Sequence, residues 1–183
     1  ANKLLIPEPG LENAYQQHLI HDLGAGLDLK HAKVVLDCAN GAGSHVGPRV
    51  LSAVGATVIP IAHQPDGQNI NRRCGSTHPE ALMKAVQAHG AMLGIALDGD
   101  GDRCMLVDEH GALVDGDGIL TILGRHGAQQ GSLPKNRLAA TVMSNRALHI
   151  ALEEVGVSVT ETAVGDRAVV EAMQEEGLAL GGE

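Results

Sequence analysis

An α/β fold arranged as two mixed, layered domains is what this sequence predicts, and three observations point to it. Short apolar runs such as Val34-Val35-Leu36 are continuous rather than alternating, as strands covered on both faces require. Segments with helical apolar spacing recur between those runs, and Gly, Asn, Asp and Pro gather at the junctions. At 183 residues the chain is long enough for two modest cores, and the change of domain is placed at Val114, giving domains 1–113 and 114–183.

The elements follow in order. Residues 11–23 carry a mixed apolar and polar helical pattern, after which Lys33–Asp37 reads as a strand ending in an acid. Asn40-Gly41-Ala42-Gly43-Ser44 permits a tight turn before a helix from about 46 to 54. Thr57–Ile61 is the next strand; Pro60 lacks an amide donor, so the strand belongs at an edge or ends near Ile59. The Asn-, Asp-, Gly- and Pro-rich stretch 64–77 reads as a long functional or connecting loop. Thr77 and Glu80 have capping-box spacing and Pro79 falls in the first turn of a helix whose face is Leu82, Met83 and Val86. Met92–Leu97 forms the following strand and runs directly into Asp98. This alternation predicts parallel layering with ligands beyond the strand C-termini.

Cys104–Val107 reads as a further strand, with a turn at Asp108–Gly111 before Leu113 and Val114. Asp115-Gly116-Asp117 can cap a helix over 118–126 with an apolar stripe of Ile119, Leu120 and Leu123. The second domain repeats the pattern: a strand near 138–142, a helix near 145–154, a strand near 157–160 and a helix near 166–175.

Hydrophobic residues are 44% of the chain and charged residues 19%, a globular balance. Tyr15 is the only aromatic, so the cores are built from Leu, Val, Ile, Met and Ala, with no stacking platform for nucleic acid. The net charge of −9 disfavours nucleic acid and acidic membrane surfaces as partners. Cys38, Cys74 and Cys104 are too widely spaced for a disulfide framework or a zinc knuckle, which fits a reducing cytoplasm. Apolar runs fall short of the roughly 20 residues that cross a bilayer, and no basic-then-apolar export signal is read at the start. The first residue is not Met, and the chain stops at Gly181-Gly182-Glu183, where a strand would deliver its loop; a fragment is therefore expected.

Chemistry is concentrated in Asp98-Gly99-Asp100-Gly101-Asp102-Arg103. Three carboxylates at alternate positions repel one another unless a cation joins them, and the glycines let the backbone fold around an ion. Mg²⁺, a hard cation that takes oxygen ligands in octahedral geometry, is the expected occupant. Arg103 adds a planar positive fork suited to a phosphate oxygen. A solvated Asp-Gly turn is the plainer alternative for a single pair, but three alternating acids after a buried strand outweigh it. A calcium loop would match at its first, third, fifth and twelfth positions, the last being Glu109, yet its sixth must be Gly and here is Arg103.

Other signals are weaker. Gly41-Ala42-Gly43 could cradle a phosphate but lacks the spacing of a nucleotide fingerprint, and a packing turn is the simpler reading. Gly165-Asp166-Arg167 could set an anion at a helix start, with Asp166 equally able to serve as an ordinary N-cap. The cysteines lack a sequence-defined His partner, so a catalytic thiol is not expected.

Four separated pieces together resemble the α-D-phosphohexomutase family. They are Asp37-Cys38-Ala39-Asn40-Gly41-Ala42-Gly43, Asn69-Ile70-Asn71 with Cys74-Gly75-Ser76-Thr77, the Asp98–Arg103 loop, and Val164-Gly165-Asp166-Arg167. The resemblance implies four domains around a cleft, of which this chain matches the second and most of the third. It implies that Asp98, Asp100 and Asp102 bind Mg²⁺ together with a phosphoserine of the missing first domain, and that Arg103 sits beside that phosphoserine. Glu183 would begin the sugar-recognition loop, and Asp166 and Arg167 would belong to a second cleft-facing loop, although Ala168 replaces the aromatic often found next. A missing fourth domain would hold the substrate's non-reacting phosphate.

The implied reaction moves phosphate from phosphoserine to a phosphorylated hexosamine, passes through a sugar bisphosphate that also serves as primer, and returns the other phosphate to serine. The second and fourth pieces tilt the substrate toward glucosamine phosphate, so that glucosamine 6-phosphate and glucosamine 1-phosphate interconvert on the route to cell-wall precursors. The alternatives are a mutase of glucose or mannose phosphates and a non-catalytic metal-binding remnant. Turnover by the 183-residue chain alone is not expected.

Overall fold

The computed structural model describes residues 9–183. The opening eight residues, on which the expectation about an export signal partly rests, lie outside the described residues. By its contacts the chain divides between Leu113 and Val114 into two compact units.

The first unit holds α1 (Pro9–His18), β1 (Lys33–Asp37), α2 (Gly43–Ala53), β2 (Thr57–Ile61), α3 (Glu80–His89), β3 (Leu93–Leu97), β4 (Cys104–Asp108) and the start of β5 (Leu113–Val114). Its sheet has the order β2-β1-β3-β4-β5. β1 is parallel to both neighbours, and β4 runs antiparallel to β3. The parallel layering expected from the strand–helix alternation holds for β1, β2 and β3, whereas β4 is antiparallel, because Leu97 pairs with Cys104 and residues 98–103 are too few for a crossover.

The continuous run on β1 is buried on both faces. Val35 joins Leu82 and Val86 of α3 in one core, while Leu36 packs against α2, closely enough that a side chain at Gly47 would meet it. β2 has a sheet edge and continues through Pro60 to Ile61, the edge position that a residue without an N–H tolerates.

Three boundaries differ from those predicted. The segment over residues 11–23 is an α-helix to His18 that ends in a π-helical turn, Leu19–Leu23. α2 begins at Gly43, so the glycine-rich turn is shorter and its last residues are already helical. α3 starts at Glu80 with Pro79 as its cap and no side-chain bond; the Thr77 capping box does not form, because Gly75–His78 closes its own turn through His78 N to Gly75 O at 3.0 Å.

The second unit holds the rest of β5, then α4 (Gly116–Gln130), β6 (Arg137–Thr141), α5 (Arg146–Glu153), β7 (Ser158–Thr162), α6 (Asp166–Glu176) and β8 (Gly181–Gly182). A short 3₁₀ turn, Pro134–Asn136, precedes β6. The sheet order β7-β6-β8 is parallel throughout. Leu138 and Ala140 of β6 face Leu120, Leu148 and Leu152 of α4 and α5, and Ala139 faces Val169 of α6. Asp115 caps α4 by accepting from Gly118 N at 2.9 Å, and α4 runs past the predicted 126 to Gln130. Leu123 is exposed, contrary to the predicted stripe; Gly124 takes the buried position, with no room there for a Cβ beside Leu152 and Leu138.

Neither core contains an aromatic ring: Tyr15 is exposed and aliphatic side chains fill the layers. Leu138 is fully buried at the centre of the second unit. Leu138→Ala is expected to destabilise that unit by roughly 2–5 kcal/mol, read as a lower urea midpoint at constant slope. A loss below about 1 kcal/mol would contradict this packing.

Candidate metal centre

Parallel pairing of β1 and β3 brings Asp37 and Asp98 to the same sheet edge, one at the end of β1 and the other just beyond β3. That C-terminal edge is where open α/β sheets collect ligands. Asp98 is buried and folds the loop around itself: its Oδ1 accepts from Gly101 N at 3.2 Å and Arg103 N at 3.1 Å. One oxygen thus shapes the turn and the other is left to face the acids that follow.

Asp98, Asp100 and Asp102 converge so that one carboxylate oxygen from each lies within 4.8 Å of the others. An octahedral Mg²⁺ sets adjacent ligand oxygens about 3 Å apart, so a small contraction of this cluster closes it on an ion. The donor set therefore fits a hard divalent cation. The loop ends in β4, a strand hydrogen-bonded to β3, rather than in a helix, and this hairpin geometry excludes calcium-loop architecture.

The carboxylates are electrostatically linked. Burial pushes Asp98 up, but the Arg103 N–H, a hydrogen bond with Asp102 and the Gly101 N–H together hold it below the usual carboxylate range. Asp102 moves the other way, raised first by its hydrogen bond to Asp98, then by desolvation and by the charge of Asp100. As pH falls, the coupled pair therefore takes up its first proton at a higher pH than an isolated Asp would, and a bound cation must displace it. Mg²⁺ affinity is accordingly expected to be full above that raised pKa and to decline as pH falls through it. Calorimetric titrations at descending pH check this, and an affinity flat across the carboxylate range would contradict it.

Arg103 stands at the rim with its side chain 70% exposed, Nε lying 3.9 Å from Asp98 and 4.0 Å from Asp102. Such long, solvated pairs hold the guanidinium weakly, leaving its donors available to an incoming anion.

The other predicted positions lie in the second unit. Gly165, with φ 118°, is the N-cap of α6, so Asp166 is its first residue and not the N-cap that the sequence allowed. Arg167 pairs with Glu171 at 2.8 Å on an exposed helix face. Glu183 follows β8 and accepts from Gly165 N at 3.1 Å, so the ends of β7 and β8 are tied together. Sequence reasoning missed the companions of Glu183: Asp117, Thr141, Met143 and Ser144 line a cavity of about 280 Å³ with it. Their common position beyond the end of β6 or at the start of α4 was the available signal.

Gly41 is a packing residue rather than a phosphate cradle, since a Cβ there would collide with Gly99. Cys38 and Cys74 are buried and Cys104 is exposed. Desolvation, aided by Asp37, pushes the Cys38 thiol up to about 12, and burial with the charge of Asp37 raises Cys74, so neither buried cysteine is an activated thiolate.

Residues 13–111 match the family described as Phosphoglucomutase/phosphomannomutase, alpha/beta/alpha domain II, and residues 115–183 match the corresponding domain III. Both α/β units thus match successive alpha/beta/alpha domains of one class, and the chain belongs to the phosphoglucomutase/phosphomannomutase family. It is 52% identical over 174 residues to phosphoglucosamine mutase of Desulforudis audaxviator, covering 94% of this chain and 39% of that relative. Phosphoglucosamine mutase of Rhodococcus opacus is 53% identical over 96% of this chain, again 39% of the relative. The chain therefore spans about two fifths of the length of these relatives.

Among solved structures, a phosphoglucomutase/phosphomannomutase family protein from Burkholderia thailandensis superposes with a TM-score of 0.80 at 25% identity, covering 94% of this chain and 37% of that one. N-acetylphosphoglucosamine mutase of Aspergillus fumigatus, solved with GlcNAc-6P and magnesium, shares the fold with a TM-score of 0.71 at 20% identity over 93% of this chain and 38% of that one. Among the described residues, no helix is long and apolar enough to cross a membrane.

Proposed function

We propose that the protein carrying this chain is a phosphoglucosamine mutase that interconverts glucosamine 6-phosphate and glucosamine 1-phosphate through phosphoserine and a sugar bisphosphate. The observation that carries this reading is the convergence of Asp98, Asp100 and Asp102 at the β3 edge, in a chain 52% identical to a phosphoglucosamine mutase. Residues 1–113 act as the second domain with the metal loop. Residues 114–183 act as most of the third, Glu183 opening its sugar loop. The first and fourth domains supply the phosphoserine and the site for the non-reacting phosphate. The reaction belongs to the cytoplasm, where the three cysteines remain thiols.

Asp98, Asp100 and Asp102 would hold Mg²⁺, which would supply charge neutralisation for the transferring phosphoryl group. Asp98 also keeps the loop folded through the N–H groups of Gly101 and Arg103. Arg103 presents its guanidinium to the phosphoryl oxygens and stabilises the charge they share in the transition state. Glu183 accepts a sugar hydroxyl or ammonium proton while its tie to Gly165 fixes its direction, and Asp166 and Arg167 border the same sheet edge.

Product analysis on the full-length protein tests this, with phosphorylated enzyme, a bisphosphate primer and glucosamine, glucose and mannose phosphates in parallel. The reading predicts preferred exchange on glucosamine phosphate and no turnover by the 183-residue chain alone. Preference for glucose or mannose phosphate overturns the substrate. Parent-like turnover by the chain alone, free of contaminating mutase, overturns the need for a phosphoserine outside it.

A further inference from the structure

Asp37 ends β1 fully buried, and backbone donors occupy both its oxygens: Ala39 N donates to Oδ1 and Gly75 N to Oδ2, each at 2.9 Å. Burial pushes this carboxyl up despite the two N–H groups, so the side chain is kept inside at some cost to folding. Its role must then lie in what those two donors belong to.

The first donor belongs to the turn over residues 39–42. Ala39 and Asn40 there have left-handed φ of 52° and 48°, a conformation uncommon for residues with a Cβ and maintained only where surroundings impose it. That turn presents Ala42 N to the carbonyl of Gly99 at 2.8 Å and lays Gly41 directly against Gly99. The second donor belongs to the segment over residues 69–76. From it Ser76 N reaches the carbonyl of Leu97 at 2.9 Å, Asn71 N reaches the carbonyl of Ala39 at 2.9 Å, and the Ile70 and Asn71 side chains close over Gly99. At Gly75, with φ 76°, a Cβ would stand 2.5 Å from the Leu97 carbonyl, so this junction leaves no slack. The peptides on both sides of Asp98 are therefore gripped by two segments whose shared tie is one buried carboxylate.

We infer that Asp37 is a positioning residue of the metal loop: its carboxylate joins the 39–42 turn to the 69–76 segment, and together they hold Leu97–Gly99 so that the ligand oxygens of Asp98, Asp100 and Asp102 converge. Three carboxylates brought together without an ion repel, and a loop free to relax would spread them; the clamp restrains the loop before the ion arrives. The inference rests on the metal-centre reading above. An amide at position 37 keeps the shape but offers one acceptor oxygen, so its NH₂ faces one of the two N–H donors and that tie is lost. Ala42→Pro, at a φ of −60° that proline accepts, replaces the donor to Gly99 with a ring carbon set against the same carbonyl, and so breaks the grip without touching Asp37.

Mn²⁺ binding by the full-length protein, followed by electron paramagnetic resonance, tests it with wild type, Asp37→Asn and Ala42→Pro. Metal-free thermal unfolding and amide exchange at Ala39 and Gly75 are recorded beside it. The expected result is at least a tenfold weaker Mn²⁺ affinity in both variants, faster exchange of those amides in Asp37→Asn, and a metal-free Tm that moves by no more than a few degrees. Unchanged affinity in Asp37→Asn overturns the inference, as does a loss of affinity matched by a collapse of the metal-free Tm, which marks a merely structural residue. If Asp37→Asn does not fold, Ala42→Pro decides: weakened binding in a folded variant supports the clamp, and wild-type binding overturns it. A wild-type full-length protein that binds no Mn²⁺ defeats the metal reading itself and this inference with it, an outcome distinct from the others.

Discussion

Asp98→Ala is expected to abolish Mg²⁺ binding and lower turnover of the full-length protein by roughly 10³-fold or more, since a bound metal supplies several kcal/mol of charge stabilisation. The loss should exceed that of Asp100→Ala, because Asp98 is a hub as well as a proposed ligand: its Oδ1 takes the N–H of Gly101 and of Arg103, so alanine removes the proposed ligand oxygen and unties the loop. Asp98→Asn separates the two roles. An amide oxygen still accepts from both N–H groups and keeps the turn, while the side chain loses its charge. The asparagine variant should therefore retain wild-type stability and still bind Mg²⁺ poorly. Calorimetry and unfolding on the same samples check this, and full Mg²⁺ affinity in Asp98→Asn would remove Asp98 from the ligand set.

Arg103→Ala should lower kcat by about 10²–10³-fold with little change in KM, as expected when a donor aimed at transition-state charge is deleted. The structure motivates that direction. The guanidinium is exposed and 3.9 Å from its nearest carboxylate, so it contributes little to stability and is free to turn toward a phosphoryl group. Arg103→Lys should recover only part of the loss, because a point charge does not reproduce the planar fork. A raised KM with unchanged kcat would assign Arg103 to substrate capture instead.

The strands bearing the metal loop were legible because their signals are local. Val34–Leu36 is a continuous apolar run that only a sheet covered on both faces can use, and the strand read around it, Lys33–Asp37, has the bounds of β1. Asp98–Asp102 declares its chemistry by spacing alone, and the residues do converge. Helix starts were less legible where chain-distant contacts choose among local options. α2 absorbs Gly43 and Ser44, although both read as turn, and the Thr77–Glu80 spacing yields no capping box, because Gly75–His78 closes its own turn and Gly75 is also bonded to Asp37. That Asp37–Gly75 bond joins residues 38 apart in sequence, and no periodicity or motif announces it. Leu123 was assigned to a core face by apolar character, yet Gly124 occupies it, since α4 approaches Leu138 and Leu152 too closely for a side chain there. The surroundings of Glu183 are hidden for the same reason: Gly165 N, Thr141 and Ser144 come from different strand ends of the second sheet.

The central claim is that the acidic loop is a divalent-metal centre serving phosphoryl exchange on an amino sugar. Phosphorus NMR of the phosphorylated full-length protein with glucosamine 6-phosphate, a bisphosphate primer and Mg²⁺, before and after chelation, tests it most directly. The account predicts a growing glucosamine 1-phosphate resonance that stops on chelation and resumes when Mg²⁺ is restored, with Asp98→Asn silent throughout. Exchange that continues undiminished after chelation, or in Asp98→Asn, would contradict it.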